Sequence, residues 1–216
     1  MILFVSGATV TVKRFPQVGE LIVPSAGNNP DALRLEWGKW AMDNGAFSTF
    51  DPGLFMAMLQ AYHGRKGCRF VSAPDVVADA YATLQRWPFW SAVIRGAGFV
   101  PALVLQDGML AAEVPWREVG AVFVGGSTEW KLGTQARTLM AYAKSRGLWV
   151  HVGRVNTQQR IWEAVEAGAD SCDGTGFTWF PDKRIPKGVA WIDQALTQQR
   201  EQADLGLSVP PSELAV

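Results

Sequence analysis

Residues 121–176 read AVFVGGSTEWKLGTQARTLMAYAKSRGLWVHVGRVNTQQRIWEAVEAGADSCDGTG. Two short apolar runs, AVFVGGS (121–127) and LWVHVGRV (148–155), each give way to a stretch with helical spacing of apolar residues. GTQARTLMAYAKSRG (133–147) is the first helix and Gly147 stops it. NTQQRIWEAVEAGA (156–169) is the second, with Asn156 or Thr157 placed as its N-cap. SCDGTG (171–176) then opens a further strand end. Strand–helix alternation with nearly continuous apolar strands predicts a parallel sheet covered by helices.

The alternation extends towards both ends. ILFVSG (2–7), WAMDNG (40–45), RFVSAPD (69–75) and FVPALVLQ (99–106) read as strands, and ELIVPS (20–25) as another whose place is open. DPGLFMAMLQAYH (51–63) reads as a helix with Asp51 as N-cap and Pro52 at its first position. VADAYATLQRWPFW (77–90) reads as a helix broken near Pro88, VPWREV (114–119) as a short helical piece, and a terminal helix falls near 189–202. Polar residues close the strands: Asp43, Asp75, Gln106, Ser127, Arg154 and Asp173. They recur at intervals of roughly 20–30 residues, the length of one βα unit, and eight such units nearly fill the chain. A compact (β/α)8, TIM-like barrel over residues 1–202 is therefore expected, with an open doubly wound sheet as the alternative. The tail, 203–216, contains Pro-Pro and no helical period and is expected to be loosely ordered.

Composition narrows the class. The chain has 216 residues, 48% of them hydrophobic, enough to bury one sizeable core. No apolar run is long enough for a membrane helix, and no basic segment precedes the N-terminal apolar stretch as in a signal peptide. Two cysteines, Cys68 and Cys172, make neither a disulfide framework nor a four-cysteine zinc site, so a reducing, cytoplasmic setting is expected. Twenty basic residues balance twenty acidic ones, so nucleic-acid binding would need a local basic patch.

In a parallel α/β fold the strand carboxyl ends face the active site. Asp43, Asp75, Gln106 and Asp173 would then converge, although each alone could serve as a helix cap or solvated loop residue. Two carboxylates facing one substrate can run displacement at a sugar carbon, one as nucleophile and one handling the proton. A third can accept N–H donors from a base edge. Gln106 and the backbone of FVGGS (123–127) can meet its carbonyl, since glycine lets a ligand approach closely.

DNGAF (43–47), SAPD (72–75), LVLQDG (103–108), FVGGS (123–127), HVGRVNT (151–157) and GADSCDGTG (168–176) occur in this order. Together they resemble the tRNA-guanine transglycosylase family, whose members exchange guanine for a 7-deazaguanine base. The resemblance spans residues 40–180 and implies a pentosyltransferase with no cofactor. It implies that Asp173 attacks C1′ and holds the nucleic acid covalently, and that Asp43 is the general acid/base. Phe47 would stack on the base. Asp75, Gln106 and the Gly125-Gly126 backbone would bind its guanine-like face, and Val152 and Gly153 would shape the other wall. Asp170 reads better as a turn residue than as a catalytic one.

The chain departs from the tRNA enzymes in lacking their cluster of three cysteines and a histidine. Cys68 and Cys172 lie far apart, and the two histidines, His63 and His151, read as helix-end and strand residues. It also lacks the long insertions of those enzymes. In size and in missing zinc ligands it is more similar to small phage-type members that act on DNA, which would place it in the host cytoplasm. The expected partners are DNA, single-stranded or locally opened, and a free 7-deazaguanine base such as 7-cyano-7-deazaguanine. Alternatives are a zinc-free enzyme acting on tRNA, a non-catalytic subunit, and an unrelated barrel lyase or isomerase. Lys131, Arg154, Lys183, Arg184 and Lys187 would supply a basic rim for nucleic acid, and Trp179 and Phe180 a stacking surface beside the nucleophile.

Overall fold

A computed structural model describes residues 1–7, 9–25, 30–32, 35 and 38–206. Eight parallel strands close into a barrel in sequence order: β1 (Ile2–Val5), β2 (Val18–Ile22), β3 (Trp40–Met42), β4 (Cys68–Ser72), β5 (Pro101–Leu105), β6 (Ala121–Val124), β7 (Trp149–Val152) and β8 (Ser171–Asp173). β8 pairs back onto β1, with Cys172 opposite Leu3, and this closure excludes the open sheet. ELIVPS thus overlaps β2, between β1 and β3.

Strand alternation divides the core in two. Phe4, Leu21, Ala41, Phe70, Ala102, Val104, Ala121 and Phe123 pack inside the barrel. Their neighbours, among them Leu3, Met42, Val71, Leu103, Val122, Val150, Val152 and Cys172, pack outwards beneath the helices. The interior is filled by a few large rings against small alanines. Phe70 packs edge-on against Phe4 and Phe123, with centroids 6.2 and 6.3 Å away, and His151 joins them. Residues that continue the inward parity past each strand end emerge at one face, which is how Asp43, Gln106, Gly125 and Asp173 come to share a mouth.

The helices are α1 (Thr9–Val12), α2 (Pro52–Ala61), α3 (Ala80–Gly96), α4 (Thr134–Ser145), α5 (Gln158–Glu166), α6 (Thr175–Trp179) and α7 (Pro181–Asp204). Asp51 caps α2 through a bond from Leu54 N–H, and Thr157 rather than Asn156 caps α5. Three helix expectations are corrected. α3 runs through Pro88, which lies on its exposed side where one lost backbone donor is least costly. VPWREV forms turns rather than a helix, so the crossing from β5 to β6 carries none. The terminal helix starts at Pro181, eight residues before 189, because proline suits the first helical position. It runs to Asp204, two residues into the stretch read as tail, whereas 207–216 lie outside the described residues. Among the described residues no helix is long and apolar enough to cross a membrane.

Candidate active site

The mouth at the strand carboxyl ends holds a cavity of about 160 Å3. Asp43, Asp75, Gln106, Gly125, Gly126 and Asp173 all line it, as expected from the strand ends.

Asp43 follows β3 directly. Its Oδ1 accepts from Asn44 N–H at 2.7 Å and from the Ser72 hydroxyl at 2.9 Å. Its Oδ2 has no protein donor among the described residues. Burial pushes its pKa up, and the charge of Asp173 pushes the same way against the two donors. A carboxyl in this setting holds its proton more readily than an exposed one.

Asp173 ends β8 and is gripped at both oxygens. Arg154 N–H donates to Oδ1 at 3.1 Å, and His151 Nε2 meets Oδ2 at 2.9 Å. Behind His151 stands Ser171, whose Oγ lies 2.9 Å from His151 Nδ1 and accepts from Trp149 Nε1 at 2.9 Å. The indole can only donate, so the Ser171 hydroxyl hydrogen is free to point at Nδ1, leaving Nε2–H to donate to Asp173. A buried donor chain, Trp149 to Ser171 to His151, thus ends on the carboxylate. His151 is the residue that sequence reasoning missed. Its signal was parity: Val150 and Val152 face the helices, so His151 faces inwards beside Asp173.

Asp75 is nearly buried, and its two oxygens accept from Asn44 Nδ2 at 2.8 Å and Gln106 Nε2 at 2.6 Å. Burial raises its pKa to about 6 against the pull of Asn44. Gln106 Oε1 in turn accepts from Ala78 N–H at 2.8 Å, where Ala78 has φ 61°. The two expected base-binding side chains are therefore bonded to each other and pre-set in orientation, with Asn44 as an unexpected third member. Each carboxylate oxygen retains lone-pair capacity towards the cavity.

At the rim Phe47 is 64% exposed, and the Arg154 guanidinium sits 4.1 Å from its ring centre. Arg154 also donates to Gly126 O, bridging the ends of β6 and β7. Gly125 has no room for a side chain: a Cβ would lie 2.7 Å from Val104 and 2.8 Å from Gln106 Nε2. Trp179 and Phe180 are exposed just beyond, and Lys183, Arg184 and Lys187 are exposed on the first turns of α7.

Three assignments change. Lys131 is not a rim cation: it is buried, and its Nζ donates to Gly153 O at 2.6 Å. Val152 is not a pocket wall, because its parity turns it into the core beneath the helices. Gly153 stands behind the cavity rather than lining it, with Phe123 2.5 Å and Asp173 Oδ2 3.5 Å from where a Cβ would be. Asp170 is structural as read, taking Lys144 Nζ at 2.7 Å and Val150 N–H at 2.8 Å. Among the described residues no three His, Cys, Asp or Glu side chains gather into a metal-binding group.

No family model and no curated protein matches this chain. Solved structures share its fold. A cube-shaped, highly porous protein cage, designed by fusing symmetric oligomeric domains, superposes with a TM-score of 0.57 at 12% identity, over 95% of this chain and 76% of that one. A structure described as native KDPGal gives 0.51 at 12% identity, over 93% and 95%. At that identity the likeness establishes the TIM-like barrel architecture alone.

Proposed function

We propose that this protein is a DNA guanine transglycosylase, replacing guanine in DNA by a 7-deazaguanine base such as 7-cyano-7-deazaguanine. The observation that carries the reading is the pair Asp43 and Asp173 lining one cavity, with Asp43 biased towards its protonated form by burial and by its partner's charge. A carboxyl that holds its proton suits the acid role, and the neighbouring Asp173, held by two donors, suits the nucleophile's.

In the proposed reaction an Asp173 oxygen attacks C1′ of a deoxyguanosine unit turned out of the stack. The C1′–N9 bond breaks as Asp43 gives its proton to the departing guanine. An ester between Asp173 and C1′ remains. The incoming base enters the same cavity, loses its ring N–H proton to Asp43, and attacks C1′. The ester bond breaks and Asp173 returns as a carboxylate. Two displacements retain the configuration at C1′. The linked Asp75–Gln106–Asn44 set reads the base edge, and the exposed aromatics and α7 cations hold the flanking strand.

The test is base exchange with duplex DNA, single-stranded DNA and tRNA, each with 7-cyano-7-deazaguanine, followed by mass analysis of the digested nucleosides. The expected product is a deazaguanine deoxynucleoside that is absent with folded Asp173→Asn. Product from tRNA alone would overturn the DNA assignment. No product from any polymer, or full activity in Asp173→Asn, would overturn the mechanism.

A further inference from the structure

We propose that Lys131 is a positioning residue for Asp173 and acts on it through the Gly153–Arg154 peptide bond. The carbonyl of that peptide accepts Lys131 Nζ at 2.6 Å, and its N–H donates to Asp173 Oδ1 at 3.1 Å. One rigid, planar unit therefore carries an ammonium on its oxygen and the carboxylate on its hydrogen. An ammonium on the carbonyl polarises the peptide and makes the N–H a stronger donor.

Two further features support the link. Arg154 holds φ 59°, a region that non-glycine residues seldom occupy, and this backbone turn accompanies the N–H bond to Asp173. Lys131 is also 1% exposed with no carboxylate within ion-pair distance of its Nζ among the described residues. A buried ammonium without a direct counter-ion is costly, and an apolar side chain would fill the same space at less cost. Its Nζ is aimed at the Gly153 carbonyl, on the peptide whose N–H meets Asp173.

The groups facing Lys131 come from four elements: Asp107 after β5, Arg154 after β7, Arg160 on α5 and Asp173 on β8. Burial and then Arg154 lower its pKa to about 7, while Asp173 raises it. The ammonium is thus lost as pH rises through about 7, and the support it gives Asp173 weakens over the same range.

The inference rests on the nucleophile reading of Asp173, so the test has one arm that needs no activity. In that arm the Lys131 side-chain Cε resonance is titrated by NMR in the parent protein and in Asp173→Asn, where Lys131 is untouched. The midpoint should fall below about 7 once the carboxylate is gone; an unchanged midpoint overturns the link. In the second arm, exchange is followed against pH for the parent, Lys131→Met and Lys131→Arg. Lys131→Met should lower kcat about tenfold with KM little changed, the effect of one weakened charge-assisted bond. It should also lose the parent's fall in kcat above about pH 7, and Lys131→Arg should recover part of the rate. An unaltered kcat and pH profile in Lys131→Met overturns the proposal. A parent with no exchange activity overturns the transglycosylase reading instead, and the NMR arm then decides the link alone.

Discussion

At the residue scale the site is governed by what each carboxyl group is tied to. Asp173 is held from below by His151, itself ringed by Phe4, Phe70 and Phe123 at 4.5 to 5.9 Å. His151→Phe preserves that ring packing and removes the donor to Oδ2. The expected result is a folded protein whose kcat for the proposed exchange drops roughly 10- to 100-fold while KM holds, as for one lost bond to a charged group. Asp75 makes a different expectation, about stability. Its pKa is about 6 folded against 3.8 for the free group, so the folded state binds the extra proton. Its contribution is fully present below about pH 4 and is lost as pH rises through about 6, worth up to ~3 kcal/mol. Denaturation midpoints of the parent should fall over that interval, and Asp75→Asn should flatten this part of the curve.

At the element scale the strand ends are fitted to one another as closely as the strands are. Gly125 leaves β6 against Val104 and the Gln106 amide, so Gly125→Ala pushes directly on the Gln106–Asp75 bond. Overpacking of this kind should cost ~1–3 kcal/mol by chemical denaturation and, in the proposed exchange, raise KM for the free base more than it lowers kcat. Strand ends were also where the sequence was most legible. Asp43, Gln106, Gly125 and Asp173 reach the mouth because each continues an inward-facing run, a pattern visible as polar residues closing apolar ones. His151 was obscured because it sits within its strand, at the start of a quoted segment to which no role was attached; only parity and its neighbour's register reveal it. Lys131 was misplaced for a related reason. Position after β6 puts a residue near the mouth but does not say whether its stem turns outwards or back under Gly153. β2 was hard to place because Glu20 interrupts its apolar run, yet all five of its residues are buried. Pro88 and Pro186 mimic helix breaks, but both lie inside helices, Pro88 on an exposed side.

At the scale of the whole molecule the barrel interior serves as both core and foundation of the site. Phe70 packs against Phe4, Phe123 and His151 and is fully buried. Phe70→Ala should cost ~3–5 kcal/mol in thermal or chemical unfolding. Phe89, equally large but 64% exposed on α3, provides the control, and Phe89→Ala should change stability by no more than ~0.5 kcal/mol. Loss of the Phe70 ring should also loosen His151, so the first variant is expected to lose the proposed exchange activity beyond what its unfolded fraction explains.

The helix-free crossing between β5 and β6 has a consequence for how the chain could be divided. A cut there would leave Asp43, Asp75 and Gln106 on one fragment, and His151 and Asp173 on the other. Neither half would hold both the proposed acid and the proposed nucleophile, and each would expose two unpaired barrel edges that only its counterpart completes. Co-expressed halves should therefore reassemble through those edges and restore the proposed exchange by complementation, while each alone stays inert.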